Sequence, residues 1–196
     1  MKLENPVRLG GFAAILAGVL LVVSDLLRLY IINLAGPAVL ESIYFVEGWI
    51  SVLLAVVVQL GLVGLYASQA KEVGILGLIG LILASIGIEL TMGSSFVFPF
   101  DRPIVFPWQT EEYWEEPLAA LLVFGLSFVL GCVLLGVSML RARVYSRAAA
   151  ALFIVGALIL LTPLALTDVI FAVALAWLGY AIFAGRSEEA PQPTHA

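Results

Sequence analysis

The chain predicts an all-α fold, a polytopic transmembrane helix bundle of six spans with both termini in the cytoplasm. Three observations carry this. Of its 196 residues, 63% are hydrophobic and 12% are charged. That is about half the charged share of a soluble domain, too little polar surface to cover a globule in water. The apolar residues fall in runs near 8–32, 46–68, 73–98, 118–140, 147–163 and 167–185, several of them reaching the roughly 20 residues that a crossing helix needs. The basic residues, finally, alternate between the connections as the positive-inside rule requires.

The first run follows Lys2 and Arg8 and imitates a signal peptide. It continues through Ser24, Asp25 and Arg28 to Ile32 without a small-residue cleavage site, so an uncleaved first span is expected. The next three runs are uninterrupted. The last two form one apolar stretch from Ala148 to Gly185. A single helix of that length would measure about 57 Å, far beyond a hydrocarbon core of about 30 Å. Thr162-Pro163 and Thr167-Asp168 supply turn chemistry and a helix N-cap between them, which predicts a tight hairpin of two short spans. Residues 1–185 thus make a single transmembrane domain, and 186–196 a disordered cytoplasmic tail.

With the N-terminus inside, Lys2, Arg8, Lys71, Arg141, Arg143, Arg147 and Arg186 all lie on the cytoplasmic side. The exceptions are Arg28, within the first run, and Arg102. A five-span alternative places Arg186 outside. The connection FPFDRPIVFPWQTEEYWEEP then faces out, with Trp108, Tyr113 and Trp114 suited to headgroup depth. Thr110 followed by Glu111 and Glu112 reads as a short interfacial helix, and Pro117 as the opening turn of the fourth span. Small residues recur at span ends, among them Gly10, Gly11, Gly61, Gly74, Gly77, Gly80, Gly136 and Gly179. Close helix packing demands this pattern; three tandem hairpins would also produce it.

The stretch GLVGLYASQAKEVGILGLIGLILASIG, from Gly61 to Gly87, resembles a segment of uncharacterised small six-span bacterial membrane proteins, a domain of unknown function. RLGGFAAILAGVLLVV and VGALILLTPLAL are similar to the same group. The resemblance implies a multi-pass protein of the bacterial inner (plasma) membrane and carries no activity with it.

Several function classes are excluded by composition. A net charge of −5 provides no basic patch for nucleic acid. The lone Cys132 cannot form an intrachain disulfide, and the lone His195 sits in the tail, so haem, a histidine zinc site and a catalytic dyad are not expected. Lys2 and Lys71 lie at cytoplasmic ends, which rules out a buried Schiff base. No nucleophile elbow, metalloprotease helix or phosphate-binding loop occurs. No catalytic residue, cofactor or metal is expected.

Ionisable groups inside a membrane are costly and mark functional sites by default. The candidates are Asp25, Arg28, Glu47, Glu89 and Asp168. All fall in the outer half of the bilayer although they come from four spans. Asp25 and Arg28 share a helix face, and Asp168 is a natural cap. Glu89 lies too deep to reach headgroups easily. Glu89, Arg28, Asp25 and Glu47 are therefore expected to line an outward-facing pocket, with Tyr30, Tyr44, Thr91, Ser94 and Ser95 at similar depth. Arg28 is expected to contact Asp25 or Glu89. Gln59 reads as an interhelical hydrogen-bonder. The expected function is non-enzymatic: binding or passage of a small ligand, a cation or a proton. The alternative is an accessory or assembly subunit that docks to a copy of itself or to other membrane proteins through Gly/Ala faces, with the lipid bilayer as the common partner.

The topology is tested by cysteine labelling in intact cells of a Cys132→Ser background. An impermeant reagent should label Gln109→Cys readily and Ser187→Cys not at all; equal labelling would refute the six-span arrangement.

Overall fold

The computed structural model describes residues 6–34, 37–97, 115–162 and 167–185. These form six helices: α1 (Pro6–Leu34), α2 (Pro37–Ala67), α3 (Ala70–Val97), α4 (Glu115–Ala142), α5 (Arg147–Ile159) and α6 (Thr167–Phe183). The first four each contain a stretch long and apolar enough to cross a membrane. Large apolar side chains such as Leu16, Leu53, Ile82, Leu130 and Val173 point outward, as the surface of an integral membrane protein does and that of a soluble protein does not.

The bounds differ from expectation mainly at α2. Residues 37–45, which lie between the first two apolar runs, are helical. Pro37 takes the first helical position, where its missing N–H costs nothing. α4 begins at Glu115, which places Pro117 in its first turn as expected. The proposed helix after Thr110, and the tail 186–196, lie outside the described residues.

α1 packs on α2 and α6, α3 on α2 and α4, and α5 on α4 and α6. Each helix therefore touches its neighbours in sequence, and α6 closes the circle onto α1. Several of these contacts are backbone to backbone. A Cβ on Gly10 would lie 2.3 Å from Gly64 Cα, and one on Gly131 would lie 2.2 Å from the Ala84 amide nitrogen. Gly11 and Gly18 meet the backbone of α6 at Gly179 and Ala172. Without a hydrophobic force between helices in lipid, such close approach is what holds them together. Inside the circle the rings of Phe128 and Phe153 pack against Phe171 at 5.7 and 5.1 Å between centroids.

One end of the bundle, the basic end, carries Arg8, Lys71, Arg141, Arg143 and Arg147, all exposed. Its turns are tightly built. Arg143 adopts φ 55° and its N–H reaches Met139 O at 3.0 Å, a left-handed helix cap. Ser146 then caps α5 by accepting from the Ala149 N–H at 3.2 Å. Ser68 Oγ donates to Leu65 O at 2.7 Å and so accepts from the Tyr145 hydroxyl. This bond ties the α2–α3 turn to the α4–α5 turn. Burial pushes the Tyr145 phenol above its ordinary pKa, Glu72 adds to this, and the Ser68 bond opposes it; the phenol stays a donor. α3 breaks its helix at Gly74, whose φ of 57° and ψ of −152° only glycine adopts without strain.

The helices are unequal. α1 to α4 hold 29, 31, 28 and 28 residues, but α5 holds 13 and α6 holds 17. At 1.5 Å per residue the long helices measure about 42–46 Å, α5 about 20 Å and α6 about 26 Å. The basic ends are aligned, because Gly11 near the start of α1 meets Gly179 and Ile182 near the end of α6. The shortfall therefore falls at the far end.

Replacing Gly131 by alanine should lower thermal stability in detergent by about 1–3 kcal/mol or more, since the obstructing atoms are backbone. Gly125→Ala, where an added Cβ meets nothing within 4 Å, should show no loss.

Candidate functional site

Gly11, Gly18 and Asp25 are spaced by sevens and so share one face of α1 with only a slight drift. The first two touch α6 at Gly179 and Ala172. The same antiparallel register, carried seven residues further, sets Asp25 level with the start of α6 at Thr167 and Asp168. Asp25 is 5% exposed, and its Oδ2 has no hydrogen-bond partner among the described residues. Ser24 beside it is buried as well, and Asp168 is half-buried in the first turn of α6.

The register on α2 is fixed by Gly10 against Gly64 and Ala14 against Gly61. Carried outward, it brings Asp25 level with Trp49 and Ile50, and Arg28 level with Glu47. The side chains of Arg28 and Glu47 lie outside the described residues, so the expected Arg28 contact does too; their places on the helices are described. α1, α2 and α6 contact one another pairwise. Three acids expected from sequence, Asp25, Glu47 and Asp168, and the one intramembrane base therefore belong to one triad of helices and one level.

That level lies below the far ends. α1 continues nine residues beyond Asp25 to Leu34, about 14 Å, whereas α6 begins there. The first turn of α6 is thus recessed between longer neighbours. A helix start presents unsatisfied N–H groups and a positive dipole end, which explains why acids gather at it. Asp25 does not simply fill that role, because its Oδ2 is left without a donor among the described residues.

Glu89 stands apart. Gln59 Nε2 donates to Ser85 Oγ at 2.7 Å, the interhelical bond expected of Gln59, and this sets Glu89 level with Ala55 of α2. That is about 8 Å nearer the basic end than Asp25. Glu89 is exposed and continues the outward stripe of Ile75, Ile79, Ile82 and Ile86. Among the other expected lining residues, Tyr30 is exposed, and the side chains of Tyr44, Thr91, Ser94 and Ser95 lie outside the described residues. Sequence reasoning passed over Ser24 and Gln69. Gln69 is fully buried in the α2–α3 turn with both carboxamide atoms lacking partners among the described residues. Its position between two helices, in an otherwise polar turn, offered no periodic signal.

Because Glu89 faces outward, Glu89→Leu should leave thermal stability in detergent unchanged or raise it, by removing a carboxylate from an apolar face. Arg28→Leu should lower it by leaving the acids of its level unbalanced. A larger loss for Glu89→Leu than for Arg28→Leu would identify Glu89 as a structural contact.

No protein-family model, curated protein or solved structure matches the chain.

Proposed function

We propose that this protein is a six-span, non-enzymatic component of the bacterial inner membrane, with both termini cytoplasmic, that binds or passes a small ligand, a cation or a proton through an outward-facing polar pocket. In this reading the basic end is cytoplasmic. The short hairpin of α5 and α6 completes the crossing, and the pocket is the step above the recessed start of α6. The carrying observation is Asp25: buried, with a carboxylate oxygen unpartnered among the described residues, on the helix face that meets that start. A buried carboxylate without a donor is costly, and a chain retains one where a ligand or water completes it.

A second reading, an accessory subunit, is favoured by Glu89. A carboxylate on an exposed apolar stripe is better covered by a neighbouring protein that donates to it than by lipid. The Gly/Ala faces give this reading less support, since Gly10, Gly11, Gly18, Gly64, Gly87 and Gly131 meet helices of the same chain. Purification in mild detergent separates the two: a transporter is isolated alone or as copies of itself, and a subunit brings its partners.

The pocket is tested by modification with a polar, uncharged, impermeant maleimide in a Cys132→Ser background. Leu29, one turn above Asp25 on its face, is half-buried, whereas Leu26 points outward. Leu29→Cys should react and Leu26→Cys should not, because a thiol in hydrocarbon does not ionise. Reaction at Leu26→Cys alone would overturn the pocket.

A further inference from the structure

We infer that the site at Asp25 is selective for a monovalent cation. The inference rests on the pocket reading and names its ligand. Asp25 on α1 and Asp168 in the first turn of α6 bring two negative charges to one level. Opposing them, the start of α6 contributes about half a positive charge. Counted over the described side chains, the excess remains negative by between one and two charges. An anion, the usual ligand of a helix start, is therefore disfavoured. Asp25 Oδ2, buried and without a donor among the described residues, is the atom that a cation would complete. Ser24, buried next to it, supplies a neutral oxygen close by.

The single charge follows from the donors. A divalent ion requires a cage of several carboxylates at short range or retains most of its water. Of the two acids at this level whose side chains are described, Asp25 keeps an unpartnered carboxylate oxygen and Asp168 is engaged in a contact of its own. One desolvated carboxylate with neutral oxygens instead suits a singly charged ion, either an alkali ion or an ammonium. The shared chemistry is one positive charge set against Asp25, and the two sources are separated by the test.

The test uses the full chain carrying Cys132→Ser and Leu29→Cys, modified by methanethiosulfonate reagents of opposite charge. Their rate ratio is compared with that on a free thiol. The cationic reagent should be favoured on the order of tenfold or more, and Asp25→Asn should return the ratio most of the way to the free-thiol value. Sodium or potassium chloride should then slow the cationic reagent relative to N-methylglucamine chloride at equal ionic strength. Protection by tetramethylammonium but not by sodium or potassium would identify an organic ammonium as the ligand. If Asp25→Asn does not fold, the protection measurement still decides, since it retains Asp25. Reaction with both reagents at the free-thiol ratio would overturn cation selectivity and leave the pocket standing. Reaction with neither would overturn both. A raised ratio without protection by any of these cations would show a negative field without a binding site, and would overturn the inference.

Discussion

Contact between bare backbones along α1 is the constraint on which the bundle depends. α1 presents Gly10 and Ala14 to α2 and Gly11 and Gly18 to α6, so one helix fixes the position of two others. Lipid tails are as apolar as leucine, and burying a leucine between helices gains little over leaving it in lipid. What remains is the density of van der Waals contact, which is greatest where no side chain intervenes. The same rule joins α3 to α4 through Gly80, Gly87 and Gly131. The repeating glycines thus record one packing requirement met several times, and they need no history of tandem duplication.

This packing also determines where charge can sit. Because Gly11 and Gly18 bring α6 against α1, the residue two turns further along that face is carried to the start of α6, and that residue is Asp25. The short length of α6 is what makes the meeting possible. Were α6 as long as α1, Asp25 would face the middle of a helix with every N–H engaged.

The helical class was legible from composition and run length, and each of the six apolar runs holds one helix of the described residues, because hydrocarbon permits almost no other backbone for such a chain. The ends were less so. Residues 37–45 fall between two apolar runs, yet Pro37 opens α2 there, since a proline is favoured at the first helical position. The candidate acids were legible because polar residues are conspicuous among leucines. Which way each one points was not. α3 is apolar on nearly every face, and periodicity therefore gave no indication that Glu89 lies on the outward stripe while Ala84 and Ile88 are buried. Only the contact of Gly80 and Gly87 with α4 sets that rotation. Likewise the step at the far end depends on how short α5 and α6 are relative to α1 and α2, a comparison available only once their basic ends are aligned.

The closure of α6 onto α1 bears on how the chain is made. Helices that pack on sequence neighbours can pair as they emerge, but the face of α1 that carries Gly11, Gly18 and Asp25 is completed by α6, made long after it. Between the end of α1 at Leu34 and the end of α6 at Phe183, elongation takes roughly ten seconds or more. Throughout that interval a groove of small residues with an acid at its far end faces lipid or the insertion machinery. Closure of α1 against α6 is therefore a late event, set by the arrival of α6.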